Sequence, residues 1–127
     1  MSHYTFPLLV ALGGGFGCLC RYGMTILISS TLGTGFPYGT WFVNGLGSLV
    51  IGFLSVFFAK LCPSPAAAAL LITGFLGGFT TFSSFMNETL QFFLSGHYLT
   101  GLTYIACQLL TGLLCVALGY GLASRLF

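Results

Sequence analysis

The residues best suited to chemistry lie in one stretch, 77–85, with the sequence GGFTTFSSF. Adjacent glycines followed by Thr-Thr and Ser-Ser weaken a helix, because glycine is flexible and the hydroxyls compete for backbone hydrogen bonds. Backbone carbonyls that such a break releases can bind a cation, as they do in transporters with discontinuous helices. The stretch therefore predicts a broken helix with released carbonyls or, as the alternative, a glycine face that only packs closely.

Phenyl rings and hydroxyls alternate in the second half of this stretch. Phe82 and Phe85 are three residues apart and so lie on nearly one face of a helix, with Ser83 and Ser84 on neighbouring faces. The edge of a phenyl ring carries partial positive charge. Ring edges beside hydroxyl donors are suited to line the path of a small anion. The alternative is an ordinary aromatic core, which is common in a chain with 14 phenylalanines.

Three further polar residues lie inside apolar segments, namely Asn44, Arg21 and Glu88. A buried amide in a membrane needs a partner, so Asn44 either joins two helices or donates to a permeating anion. Charges within a membrane indicate function by default. Arg21 has a side chain long enough to snorkel to the interface. Glu88 either pairs with Arg21 or Lys60 or lies in a water-filled vestibule.

The composition of the chain places these residues in a membrane. Charged residues are 3% of the chain, against about 25% in soluble domains, and the mean hydropathy is +1.04. Such a chain cannot present a hydrated surface, so we predict an all-α integral membrane protein. It has no basic patch for nucleic acid. With a single acidic residue it lacks the carboxylate pair of acid–base catalysis, and we expect no enzyme.

The chain divides into four membrane-spanning helices. The uncharged segment 22–59 would form one helix about 57 Å long, nearly twice the ~30 Å hydrocarbon core. It must therefore turn, and the glycine-rich stretch 33–39 supplies the turn. The predicted helices are about 6–31, 39–61, 66–94 and 99–124, in a single domain over residues 1–127. Lys60 and Arg125 lie on one side, a bias small enough to allow both orientations in the membrane.

Three motifs, in this order, resemble those of the Fluc (CrcB) family of fluoride channels. The stretch 13–22, GGGFGCLCRY, is similar to the glycine-arginine motif of the family's first helix. The stretch 39–44, GTWFVN, resembles the GTxxxN of its second helix, and 77–85 resembles its GGxTTFSTF signature. Glu88 stands where the family has a glutamate after the Phe pair. The resemblance extends over all four helices.

The resemblance implies an inverted, dual-topology homodimer with two narrow pores along the subunit interface. The pores would export fluoride passively from the cytoplasm across the bacterial inner membrane. The residues that would line them share the ability to donate to an anion or to present a ring edge: Asn44, Phe82, Ser83, Ser84, Phe85 and Tyr104. The carbonyls of Gly77 and Thr80 from both subunits would hold one structural sodium ion. Arg21 and Glu88 would lie at a vestibule or interface.

Departures from the family leave several alternatives open. The fourth helix of the family supplies Ser or Thr to the pore, whereas here Gly112 and Val116 fall near those positions. Gln108 and Thr111 are the polar residues nearby. The charge bias also allows pairing with an oppositely oriented paralogue. Rival functions are a small dual-topology multidrug-type transporter, for which Glu88 is a poor binding carboxylate, and a membrane assembly subunit without transport activity.

Overall fold

The computed structural model describes residues 2–127, which form helices joined by short loops. We name the helices in chain order as α1 (Thr5–Leu32), α2 (Tyr38–Lys60), α3 (residues 65–79), α4 (Phe82–Leu94) and α5 (Tyr98–Leu126). Because α3 and α4 together cross once, four helical segments are long and apolar enough to span a membrane. The prediction of an all-helical protein with four membrane-spanning segments is confirmed.

The third span is interrupted near its middle. It begins at Pro65, where the Ser64 hydroxyl accepts a hydrogen bond from the backbone N–H of Ala67, and it widens into a π-helix over Ala69–Leu76. After Phe79 the backbone becomes extended, with φ −85° and ψ 157° at Thr80 and φ −148° and ψ 118° at Thr81. A new helix then starts at Phe82. We call Thr80 and Thr81 the break.

Glycines allow the helices to approach each other at backbone distance. On α2 and α5, a Cβ added to Gly52 would meet the carbonyl of Val116, and one added to Gly119 would meet the carbonyl of Leu49. Glycines of α1 pack in the same way against the backbone of α3. In lipid the hydrophobic effect does not drive helices together, so close van der Waals contact between backbones supplies much of the attraction. The glycine motif of α1 thereby fixes the first half of the broken span.

The apolar surface of the chain is mostly outside the bundle rather than inside it. Val43 and Tyr104 are fully buried, whereas many leucines of α1 and α5 are more than half exposed. Exposed leucine is stable in hydrocarbon, where a helix needs only its backbone satisfied internally. Polar side chains lie inside the bundle, and they gather around the break.

Candidate functional site

Asn44 of α2 holds the break by binding both backbone groups of Thr81. Its Oδ1 accepts from the Thr81 N–H at 2.8 Å, and its Nδ2 donates to the Thr81 carbonyl at 3.0 Å. The side-chain amide thus pairs with Thr81 as a neighbouring strand would. An extended backbone is stable at membrane depth only when its polar groups are satisfied. Asn44 therefore joins α2 to the third span, which is one of the two roles that the sequence left open.

Two other side chains replace helical hydrogen bonds at the break. Arg21 of α1 donates from Nε to the carbonyl of Gly78 at 2.9 Å, and Ser84 N–H donates to Thr81 Oγ1 at 3.2 Å. The first contact places a cation at the C-terminal end of α3, where the helix dipole favours positive charge. The second is the N-cap of α4.

The same rearrangement releases the carbonyls of Gly77 and Thr80. In a continuous α-helix they would accept from the N–H groups of Thr81 and Ser84. Those N–H groups bind Asn44 Oδ1 and Thr81 Oγ1 instead. Gly77 and Thr80 border a groove of about 410 Å³ between α2, α3 and the break. Within residues 2–127 no three His, Cys, Asp or Glu side chains are grouped to hold a metal.

The two phenyl rings of the signature have different environments. Phe82 is 70% exposed and borders the groove, whereas Phe85 is 4% exposed. Their ring centroids lie 5.8 Å apart at an interplanar angle of 89°, and Phe85 meets Tyr104 at 5.3 Å and 86°. The three-residue spacing suggested that the two rings share one surface. In the structure one ring is exposed and the other is buried. They form an edge-to-face series that runs from the groove into the core.

The serines lie in the first turn of α4, close to the break. Ser84 Oγ accepts from the Thr81 hydroxyl at 3.2 Å, and Ser83 Oγ lies 3.4 Å from the same hydroxyl. The N-terminus of a helix carries partial positive charge and free N–H groups. Hydroxyls and helix dipole together make this end of α4 favourable for an anion.

A line of hydrogen bonds leads from the break to Glu88. Asn44 Nδ2 donates to Gln108 Oε1 at 3.2 Å, Gln108 Nε2 donates to Tyr104 Oη at 2.9 Å, and Tyr104 donates to Glu88 Oε2 at 3.4 Å. Thr40 donates to Glu88 Oε1 at 2.7 Å. We call these five side chains the polar line. Asn44, Glu88 and Tyr104 were predicted site residues, and the structure brings them together.

Sequence reasoning missed Thr40 and gave Gln108 no role. A signal for both was present, since Thr40 lies four residues before Asn44 and Gln108 lies four residues after Tyr104. That spacing places each pair on one helix face. Thr111, the other polar residue considered on the last helix, accepts a hydrogen bond from Trp41 Nε1 at 3.0 Å. Its contact therefore joins α5 to α2.

Arg21 and Glu88 do not meet. The oxygens of Glu88 accept from Thr40 and Tyr104, and Arg21 binds the backbone of Gly78. The ion pair of Glu88 with Arg21 or Lys60, one of two sequence alternatives, is absent from the described part of the chain. Glu88 instead borders a second cavity of about 480 Å³, whose rim includes Gln91 and His97. The water-filled vestibule of the other alternative stays a prediction, and this cavity is the candidate for it.

Fold and site together define a small multi-pass membrane protein whose broken third span is joined to a partly buried polar line. The family model described as "CrcB-like protein, Camphor Resistance (CrcB)" matches residues 8–120, and the chain belongs to this family. The resemblance found in the sequence motifs is thus confirmed.

Curated relatives cover nearly the whole chain. A protein of Dehalococcoides mccartyi is 45% identical over 120 residues, which is 94% of this chain and 92% of the relative. One of Thermus thermophilus is 45% identical over 119 residues, 94% and 95% of the two chains. One of Chloroflexus aurantiacus is 40% identical over 116 residues, 91% and 92%. Each is named a fluoride-specific ion channel FluC.

Proposed function

We propose that this chain forms a fluoride-selective ion channel that lets fluoride leave the cytoplasm down its gradient and so confers fluoride resistance. The observation that carries the proposal is the polar line, which joins the break to the vestibule at Glu88 through an otherwise apolar bundle. The names of relatives at 40–45% identity support the same anion. An ion channel is not an enzyme, in agreement with the sequence expectation.

The donors around the break suit a small, strongly hydrated anion. A dry path must replace the hydration of fluoride with directed hydrogen bonds, or desolvation excludes the ion. Neutral amides, hydroxyls and ring edges supply such donors without the tight binding that a fixed cation would cause. Arg21, the cation nearest the break, has its Nε directed to a backbone carbonyl. The donor set therefore favours passage over retention.

The residues proposed to contact fluoride fall into two groups. The exposed ring of Phe82 and the hydroxyls of Ser83 and Ser84 lie at the groove and the N-terminus of α4. The interior group comprises Phe85, Tyr104 and Asn44. In this interpretation the ion enters at the first group, on the surface that a second copy would cover, and moves along the second group toward the cavity at Glu88. Glu88 stabilises the donors of the line and does not itself contact the anion, which its charge would repel.

We propose further that two copies assemble as an inverted homodimer in the bacterial inner membrane, with a pore on each side of the interface. The break and the groove lie on the surface of the single chain, with Gly77 and Phe82 both exposed. Polar backbone is not stable against lipid and needs a covering partner. A chain with four charged residues has little bias for one orientation, so opposite insertion of two copies is feasible.

A sodium ion between the two copies is part of this proposal. Its fit is judged from the donor set, because the released carbonyls of Gly77 and Thr80 are hard oxygen ligands without competing side-chain charge. Two inverted copies would supply these carbonyls in pairs. The ion would contribute positive charge and cohesion at the dimer centre, while Asn44 and Thr81 keep the carbonyls released.

The efflux of fluoride from liposomes that hold the purified chain tests the proposal, and Phe82 gives a residue-level readout. Phe82→Ile should slow fluoride efflux by about tenfold or more, since an aliphatic side chain has no polarised edge for the ion. Phe16→Ile is the matched control and should leave the rate within about twofold, because Phe16 is similarly exposed, at 63%, and packs against Phe75 rather than the polar line. Equal effects of the two changes, with both proteins still dimeric, would favour a purely packing role for the rings.

A further inference from the structure

The amide of Asn44 has a fixed orientation, and this determines what Gln108 must present to it. Thr81 offers one N–H and one C=O to Asn44, so Oδ1 must face the former and Nδ2 the latter. One Nδ2 hydrogen is then bound to the Thr81 carbonyl, and the other reaches Gln108 Oε1 at 3.2 Å. Both amide donors of Asn44 are therefore engaged, and an anion arriving here must displace an acceptor.

The contact between Asn44 and Gln108 determines the donor and acceptor of each further hydrogen bond in the polar line. Because Gln108 directs its oxygen toward Asn44, its Nε2 faces Tyr104 and donates to Oη at 2.9 Å. The tyrosine proton is thereby turned to Glu88 Oε2 at 3.4 Å. Apart from the Asn44 hydrogen that binds the Thr81 carbonyl, the donors from Asn44 to Tyr104 point away from the break and toward the carboxylate. Gln108 is 8% exposed, so this ordering takes place inside the protein.

We propose that the carboxamide of Gln108 is a two-position switch and the direct donor to fluoride on α5. In the first position Oε1 satisfies Asn44. A half-turn of the amide exchanges its oxygen and nitrogen, which have nearly the same shape, and directs Nε2 toward Asn44 Nδ2. Two donors facing each other are unfavourable unless an anion accepts from both. Fluoride therefore favours the second position, in which Tyr104 donates to Gln108 Oε1 and releases Glu88.

This inference rests on the proposed fluoride conduction and gives it a specific donor. It also explains how an amide serves where the family's resemblance led us to expect a hydroxyl. A glutamine offers an acceptor to Asn44 in the empty path and a donor to the ion in the filled one. A side chain with only one of these abilities would leave Asn44 unpaired or the ion without a donor.

The spectroscopic test uses the two glutamines of the chain, Gln91 and Gln108. Protein labelled with 15N at the glutamine side-chain amides gives two sets of signals, assigned by removing Gln91. Titration with fluoride should shift the Gln108 amide protons downfield, because hydrogen bonds to an anion are short and strong. Chloride should leave them in place. An unmoved Gln108 signal in a preparation that conducts fluoride would overturn the switch.

Two variants separate the donor from the acceptor. Gln108→Glu keeps the shape and an acceptor for Asn44 but removes the amide donor, and Gln108→Met removes both. Each should slow fluoride efflux by about tenfold to a hundredfold, the range for one lost donor to a charged group. Asn87→Met, which removes an exposed amide of α4 outside the lining of the groove and of the second cavity, should not. Wild-type protein that passes no fluoride would sink the proposed function. If both Gln108 variants kept the wild-type rate, only the switch would be wrong. The same holds if the variants were slow but fluoride did not shift the Gln108 signal of the wild-type protein.

Discussion

Asn44→Leu should abolish fluoride efflux and lower the free energy of unfolding by about 2 to 5 kcal/mol. The change removes the partners of both the N–H and the C=O of Thr81, and a buried unsatisfied polar group costs about 1–3 kcal/mol. It also removes the donor at the head of the polar line. Unfolding in a graded mixture of detergents and efflux from liposomes measure the two effects on the same preparation.

Asn87→Leu is the control, because Asn87 is the only other asparagine and lies exposed on α4. It should change neither quantity beyond about 0.5 kcal/mol or twofold in rate. If Asn44→Leu were as stable as wild type, the amide would not hold the break. Wild-type efflux in the same variant would remove Asn44 from the pore as well.

Gly77→Val should separate the dimer and stop fluoride efflux without unfolding the single chain. A Cβ at Gly77 meets nothing within 4 Å in one chain, and its φ of −61° suits any residue. Because the first carbon of the new side chain has room in one chain, we attribute a loss of dimerisation to the proposed partner copy and sodium ion. Cross-linking or single-molecule photobleaching in membranes measures dimerisation, and efflux measures function.

Gly23→Val provides the matched control, since a Cβ there also meets nothing within 4 Å and α1 continues through the site as a regular helix. Thr80→Ser, which leaves the backbone unchanged, should have little effect. Exchange of sodium for a large organic cation should weaken the wild-type dimer, because an ion that binds only the assembled state stabilises it by mass action. A fully dimeric, conducting Gly77→Val protein would contradict both the interface and the ion at this position.

Features that depend on local sequence and hydropathy were predictable. The length of the uncharged segment 22–59 required a turn, and the run from Gly77 to Ser84 combined flexible backbone with competing hydroxyls. The break and the four spans follow from these patterns. The polar residues that meet there were also visible, because an amide or carboxylate within an apolar segment is rare.

The pairing of those residues was not predictable, because it depends on how helices meet in space. Glu88 had two cations to choose from in the sequence but accepts from two hydroxyls, which lie on α2 and α5. Arg21 is 57 positions from the carbonyl it binds. The face of a helix that a residue occupies follows from periodicity, whereas the partner opposite that face follows from packing. Gln108 was passed over for this reason.

Anion efflux from liposomes that contain only this purified chain tests the central claim most directly. Vesicles loaded with potassium fluoride or potassium chloride receive a potassium ionophore, so that the anion permeability limits the rate and an ion-selective electrode records the release. Our account expects rapid loss of fluoride and a chloride loss no faster than from protein-free vesicles. A chain that releases no fluoride, or that releases chloride as fast as fluoride, would contradict the account.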